Sequence, residues 1–258
     1  MAETWTLLKL LRWTTDYFAE KGIDNPRLDA ELLLAHILEL DRVGLYLNFE
    51  RPLTAAELDT IRPLVKRRGQ REPLQYLIGQ TEFWSLPFLV NPAVLIPRAD
   101  TEILVEEALS RAEEACELLD VGTGSGAIAV SLASELPGWL VTALDISPEA
   151  LDVARHNADQ NGVSQQLQFL QGDLAQLPQQ QYDLIVSNPP YIAQDEWDEL
   201  MPEVRCFEPQ SALLAEDDGL ACYRQLAEQA ATRLKPGGWL LVEIGYQQAA
   251  AVEPLFAA

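Results

Sequence analysis

The sequence predicts an α/β protein: a Rossmann-like, mainly parallel sheet with helices on both faces, preceded by a small N-terminal helical domain. Three observations carry that expectation. From Leu118 onward, short apolar segments alternate with helix-like ones, the pattern of βαβ units. The first apolar segment runs directly into the glycine turn Gly122-Thr123-Gly124-Ser125-Gly126, which opens a helix. Residues 1–80, by contrast, carry helical periodicity without glycine-rich turns or strand alternation.

In the N-terminal part, Leu7, Leu8, Leu10 and Leu11 begin an apolar helical face. Asn25-Pro26 starts a second helix, with Asn as N-cap and Pro at a position where its missing N–H is not needed. Leu32, Leu33, Leu34, Ile37 and Leu38 form the buried stripe of that helix. Thr54-Ala55-Ala56-Glu57 is a capping box ahead of Leu58, Ile61 and Leu64. Between Gly79 and Asp100 the texture changes: Phe83, Trp84, Phe88, Leu89 and Val90 surround Leu86-Pro87, which predicts a short hairpin or extended linker over 81–94. Strands are expected at 118–121, 140–144, 167–170, 182–187 and 239–244, all within a sheet domain over 95–258. The sequence contains no internal repeat and no low-complexity segment.

A chain of 258 residues accommodates one large domain and a small one. No apolar run approaches the roughly 18 residues needed to span a bilayer. The N-terminus lacks the basic patch and small-residue cleavage site of a signal peptide, so a cytoplasmic location and no membrane partner are expected. Cys116, Cys206 and Cys222 are odd in number and far apart, which suits buried reduced thiols. His36 and His156 stand apart from any Cys or carboxylate at ligand spacing, and no metal site is expected. The 40 acidic residues against 18 basic ones give a net charge of −22, which opposes a phosphate backbone on average. Stable nucleic-acid binding is therefore not expected, although Lys66, Arg67, Arg68 and Arg71 cluster. The acidity also keeps such a protein soluble.

The first chemical motif is the turn that follows Leu118-Leu119-Asp120-Val121. Glycines there allow a tight bend and close approach of a ligand, and the following helix N-terminus favours a carboxylate or phosphate. The spacing of Gly122, Gly124 and Ala127 equally satisfies the loose dinucleotide pattern. Asp145 ends the second strand, 23 residues after Gly122, where a carboxylate accepts from both ribose hydroxyls of a nucleoside. It is also placed to cap the helix at Ser147-Pro148. Asp173, after the third strand, suits an adenine amino group with Leu174 over the ring, and equally suits capping its own turn. These positions converge outside the strand ends of a doubly wound sheet and bind an adenosine moiety. They do not choose between NAD and S-adenosyl-L-methionine.

The second motif makes that choice. The strand 182–187 ends in Asn188-Pro189-Pro190-Tyr191. Two prolines stiffen the loop. The Asn188 side-chain carbonyl and the Pro189 backbone carbonyl are two acceptors for one planar N–H₂ group, and Tyr191 offers an aromatic face beside it. An amide nitrogen is a poor nucleophile because its lone pair is delocalised. Two acceptors on its hydrogens orient it and favour the more tetrahedral geometry of attack on a sulfonium methyl. Adenine's amino group suits the same holder, so a DNA N6-adenine methyltransferase is the alternative. That chemistry requires base flipping and a grip on DNA.

With these motifs stand Gln75-Tyr76-Leu77-Ile78-Gly79, Glu82-Phe83-Trp84, Leu95-Ile96-Pro97-Arg98-Ala99-Asp100-Thr101-Glu102, Glu208-Pro209, Asp218-Gly219-Leu220 and Glu243-Ile244-Gly245. Across nearly its whole length the chain resembles the HemK/PrmC family, the protein-(glutamine-N5) methyltransferases of class 1 peptide chain release factors. The resemblance implies a class I S-adenosylmethionine methyltransferase domain and a substrate glutamine in a Gly-Gly-Gln loop. It implies cofactor contacts at Asp120, Gly122, Thr123, Gly124, Ser125, Gly126, Asp145, Asp173, Leu174 and Asn188. It also implies catalysis by Asn188, Pro189 and Tyr191, and substrate contacts from Asn188 through Tyr191. By the same resemblance the helical bundle recognises the release factor, and Arg98 and Glu102 shape the cofactor mouth. Family members continue into a terminal antiparallel strand pair, which is expected to be absent here, leaving one sheet edge open.

Overall fold

The computed structural model describes residues 4–111 and 116–257, and the chain divides into two compact units. The smaller unit begins with helices α1 (Leu7–Glu20), α2 (Pro26–Ile37), α3 (Arg42–Leu47), α4 (Ala55–Gly69) and α5 (Leu74–Ile78). Leu7, Leu10, Leu11 and Phe18 of α1 bury themselves against Leu33 and Leu34 of α2 and Ile61 and Val65 of α4. The capping box forms as the sequence requires: Thr54 Oγ1 accepts from the Glu57 N–H at 3.2 Å, and Glu57 Oε2 accepts from the Thr54 N–H at 2.8 Å. The start of α2 corrects an expectation. The helix begins at Pro26, but the Asn25 side chain makes no capping bond. The proline's fixed φ, already helical, sets the boundary without it.

The larger unit opens with a hairpin of β1 (Gln80–Phe83) and β2 (Leu86–Leu89), turned through Trp84 and Ser85 at φ values of 53° and 57°. Residues 81–94 were expected as a short hairpin or extended linker between the two domains, and the hairpin forms. They belong instead to this unit, because Phe83 and Phe88 are buried in its core. After α6 (Glu102–Ser110) come β3 (Glu117–Val121), α7 (Ala127–Glu135), β4 (Leu140–Asp145), α8 (Pro148–Gln160), β5 (Leu167–Gln171) and β6 (Tyr182–Ser187). The sheet order is β5-β4-β3-β6-β7, with every pairing parallel. Its last strand, β7 (Leu234–Val242), is flanked by α10 (Glu216–Gly219), α11 (Ala221–Arg233) and α12 (Ala249–Phe256).

Side chains of β3 alternate between the two faces, as a pleated strand requires. Leu118 packs with the α6 and α7 layer, whereas Leu119 and Val121 pack with Leu226 and Ala230 of α11. Chain order runs outward from β3 through β4 to β5, then returns to β6 on the other side. That reversal puts the switch point of the sheet at the carboxyl ends of β3 and β6, where doubly wound folds place ligands.

Strand β7 is longer at its start and shorter at its end than the expected 239–244. Its register against β6 jumps from Tyr182↔Leu234 to Leu184↔Trp239, so residues 235–238 bulge out. Pro236 in that bulge has no ladder donor to give. Among the described residues, β7 is an edge of the five-stranded sheet. Late in the chain, α9 (Pro202–Phe207) joins the helical unit rather than the sheet unit expected to contain it. Glu203 explains why: it pairs with Arg68 at 3.1 Å and with Arg71 at 2.6 Å. Cys206 of this helix is exposed, against the expectation of a buried thiol, while Cys116 is buried, and among the described residues no cysteine is in a disulfide.

Candidate active site

The glycine turn leaves the central strand at Val121 and is pinned to its neighbour. Both the Gly122 and Thr123 N–H groups donate to the Leu144 carbonyl, at 2.8 and 3.0 Å. Gly122 and Gly124 take φ values of 75° and 55°, and a Cβ added at either would meet no heavy atom within 4 Å. Both glycines therefore border open space, in a conformation other residues adopt with strain. Beside them lies a cleft of about 220 Å³.

The Asp145 carboxylate closes the turn. Its Oδ2 accepts from the Gly124 N–H at 2.8 Å and its Oδ1 from the Ser147 N–H at 2.9 Å. Capping of α8, one role open to Asp145, is performed by Ser147, whose Oγ accepts from the Ala150 N–H at 3.1 Å. Each Asp145 oxygen keeps a further lone pair. Asp173 does cap its own turn, accepting from the Ala175 N–H at 2.9 Å, yet it also lines the cleft.

Of the expected cofactor residues, Gly122, Gly124, Asp145, Asp173, Leu174 and Asn188 line the cleft together. Asp120, Thr123, Ser125 and Gly126 are not among its lining residues. Asp120 is fully buried, and its Oδ2 accepts from the Thr123 hydroxyl at 2.6 Å. Burial, aided by the nearby Asp145 charge, pushes its carboxyl up to about 7. The Ser125 carbonyl accepts from Asn157 Nδ2 at 2.8 Å. Arg98 and Glu102 are not among the residues lining the cleft, and each has a partner of its own. Arg98 pairs with buried Glu208, and Glu102 accepts from the Trp84 N–H at 2.8 Å. Sequence reading missed Leu95, Ile146, Ser211, Cys222 and Gln225 on the cleft wall. Ile146 had a local signal, an apolar residue directly after the Asp145 carboxylate and 60% exposed in the structure. Ser211 and Cys222 had none.

Across the switch point, β6 ends at Ser187, whose hydroxyl donates to the Val121 carbonyl at 2.7 Å and ties the two strand ends together. Asn188, Pro189 and Pro190 then line the same cleft as the glycine turn. Asn188 Nδ2 donates to Thr101 Oγ1 at 3.1 Å, and Thr101 Oγ1 donates to Glu243 Oε2 at 2.6 Å. The Tyr191 phenol and the Asn188 amide also lie near the Glu243 carboxylate and favour its charged form. Burial raises the Glu243 pKa against the pull of these donors, and burial likewise raises the Tyr191 phenol. Tyr191 is not among the lining residues of the cleft. Thr101 and Glu243 were not singled out from the sequence.

The loop's exit is fixed by close packing. The Tyr191 carbonyl accepts from Gln248 Nε2 at 2.9 Å. Gly219 sits against that same carbonyl at φ 81°, where a Cβ would collide with it. Gly219→Ala is expected to destabilise the fold by about 2–4 kcal/mol, from left-handed strain and overpacking together. A thermal melt showing no loss in Tm would contradict this packing account.

Comparison with known proteins fits the same site. The PrmC N-terminal domain family matches residues 9–79, and the Methyltransferase small domain family matches residues 99–206. A release factor glutamine methyltransferase of Geobacter sulfurreducens is 51% identical over 98% of this chain and 89% of the relative. The chain belongs to the release factor glutamine methyltransferase family. Relatives of the same name from Chlorobaculum tepidum and Salmonella typhimurium are each 45% identical, over 98% and 90% of this chain and 90% and 84% of their own lengths. Among solved structures, the hMettl16 catalytic domain superposes with a TM-score of 0.54 at 18% identity, covering 67% of each chain. A Pyrococcus furiosus methyltransferase gives a TM-score of 0.51 at 19% identity, over 67% of this chain and 77% of that one. These two share the fold, a class I methyltransferase sheet. Family membership makes the chain an S-adenosyl-L-methionine-dependent methyltransferase.

Proposed function

We propose that this enzyme methylates the side-chain amide nitrogen (N5) of the glutamine in the Gly-Gly-Gln motif of class 1 peptide chain release factors. The observation that carries the reading is the state of the Asn188 amide. Its nitrogen is engaged by Thr101, which leaves its carbonyl oxygen as the group available at a cleft shared with the glycine turn.

The residues present fit S-adenosyl-L-methionine. Gly122 and Gly124 border open space, and Asp145, Asp173 and Leu174 wall the same cleft. Asp145 would hold the ribose hydroxyls, Asp173 the adenine amino group and Leu174 its ring, with Gly122–Gly126 and the α7 N-terminus at the amino-acid end. When bound, the cofactor supplies a methyl group on a sulfonium, with a neutral thioether as leaving group. The chain's own task is then to hold the nucleophile. Asn188 Oδ1 and the Pro189 carbonyl each accept one hydrogen of the substrate amide, fixing the nitrogen and weakening its conjugation. The nitrogen takes the methyl group and releases one proton to solvent. Pro189 and Pro190 keep the two acceptors in place through their fixed φ.

The helical unit would select the release factor, supported by its match to the PrmC N-terminal domain. DNA is the disfavoured substrate. Three of the four clustered basic residues are neutralised in ion pairs: Arg67 with Glu72, Arg68 with Asp29 and Glu203, and Arg71 with Glu203. Among the described residues no helix is long and apolar enough to cross a membrane, and a release-factor substrate supports the reading of a cytoplasmic enzyme. The test is transfer of tritiated methyl from S-adenosyl-L-methionine to purified release factor, with DNA as a parallel substrate. Label is expected on the release factor and is expected to vanish when its Gly-Gly-Gln glutamine becomes Glu. Label on DNA alone would overturn the proposal.

A further inference from the structure

We infer that Glu243, acting through Thr101, is a positioning residue that decides which way round the Asn188 amide faces. The inference rests on the amide-holding function proposed above and adds to it the reason the holder presents an acceptor.

The argument begins with donors and acceptors. A threonine hydroxyl has one hydrogen and two lone pairs, and an ionised carboxylate only accepts. Thr101 gives its single hydrogen to Glu243 Oε2 at 2.6 Å, a short, charge-assisted bond. Toward Asn188 it therefore has only lone pairs to offer. The Glu243 carboxylate, which lies near the Asn188 amide, likewise has only lone pairs when ionised. Both neighbours demand the N–H₂ arm of the amide, and the observed 3.1 Å contact from Asn188 Nδ2 to Thr101 Oγ1 is that arm. In the flipped amide, the carbonyl oxygen would face two acceptors in a partly desolvated site, an arrangement without a hydrogen. The flip is thereby disfavoured, and the carbonyl is left for the substrate.

Burial makes the device effective. Thr101 is 5% exposed, so water does not compete for its hydroxyl. Glu243 is anchored by its own backbone: its N–H donates to the Ser187 carbonyl at 3.0 Å, and its carbonyl accepts from the Tyr223 hydroxyl at 3.1 Å. The same carboxylate lies near the Tyr191 phenol, at the other end of the Asn188–Tyr191 segment. Replacing the carboxylate by an amide of equal shape destroys the polarity of this chain. A Gln side chain can donate to Thr101 Oγ1, whose hydrogen then turns toward Asn188. Asn188 follows by flipping, and a donor faces the substrate's own N–H₂ group.

The experiment compares wild type, Glu243→Gln, Thr101→Val and Thr101→Ser in methyl transfer to release factor, with Tm and S-adenosylhomocysteine affinity measured on each. Glu243→Gln and Thr101→Val are expected to lower kcat by about 10- to 100-fold, the scale of a misoriented reacting group. KM for release factor, S-adenosylhomocysteine affinity and Tm are expected to stay near wild type. Thr101→Ser, which restores the hydroxyl, is expected to recover part of the turnover that Thr101→Val loses. In an Asn188→Ala background, Glu243→Gln is expected to add little further loss, because the amide it orients is gone. Wild-type transfer together with unimpaired Glu243→Gln would overturn the positioning role and leave the proposed function standing. So would an equal fold loss from Glu243→Gln with and without Asn188. A wild-type enzyme that leaves the release factor unlabelled overturns both.

Discussion

Asn188→Ala is expected to lower kcat by about 100- to 1000-fold, the loss seen when one preorganised polar group at a reacting centre is removed. The reason lies in what remains. The Pro189 carbonyl still accepts one hydrogen of the substrate amide, so the nitrogen is bound but free to swing about that single bond. Orientation is lost more than binding, which makes the effect one on kcat rather than on KM for release factor. The cofactor turn is held independently by Leu144 and Asp145, so S-adenosylhomocysteine affinity is expected to fall only modestly. Stability is expected to drop by about 1 kcal/mol, since Thr101 loses its partner at 3.1 Å. Label transfer at saturating cofactor, alongside a thermal melt, separates these outcomes. Near-normal turnover in a folded Asn188→Ala protein would refute the amide clamp.

How much of this site could be read in advance follows from how local each signal is. The glycine turn, Asp145 and the Asn-Pro-Pro-Tyr segment were legible because their chemistry is written in consecutive residues at strand ends. The five strands were legible because parallel strands buried on both faces appear as short apolar runs. Thr101 and Glu243 were not, because their role exists only through a contact between residues 142 positions apart. The same limit explains the basic cluster. Arg68 and Arg71 read as a positive patch until Glu203, from far along the chain, neutralises them. It explains Arg98 as well, which reads as a mouth residue but serves Glu208, 110 positions away. Asn25 errs in the other direction. Its local pattern is a good capping signal, and the helix starts where it says, yet the cap bond is not made.

Asp120 carries the second large prediction: Asp120→Asn is expected to stabilise the protein at pH 8 and to lose that advantage as the pH falls from about 7 to below about 4. The carboxylate sits in the central strand with no exposure, and only Oδ2 has a partner, the Thr123 hydroxyl at 2.6 Å. Burial first, and then the Asp145 charge, raise its pKa from an ordinary 3.8 to about 7. Below the ordinary value both folded and unfolded chains hold the proton. Between that value and about 7 the folded chain keeps the proton while the unfolded chain releases it, so each step upward in pH removes stability. Above about 7 the folded protein carries a buried charge, and the accumulated loss reaches about 4 kcal/mol at 1.36 kcal/mol per pH unit over roughly three units. Asn keeps the shape and an acceptor for Thr123 but carries no charge at any pH. Its Tm is therefore expected to exceed that of wild type by roughly 5 °C or more at pH 8, on the scale of 2–4 °C per kcal/mol for a chain of this size. Below about pH 4 the two melting curves are expected to converge, because Asp120 is then neutral in the folded and the unfolded chain alike. A Tm difference that does not change with pH would show that Asp120 is not protonated in this window. The stabilised variant is also expected to lose turnover, since a charge kept at such cost, one residue before the cofactor turn, fits function better than stability.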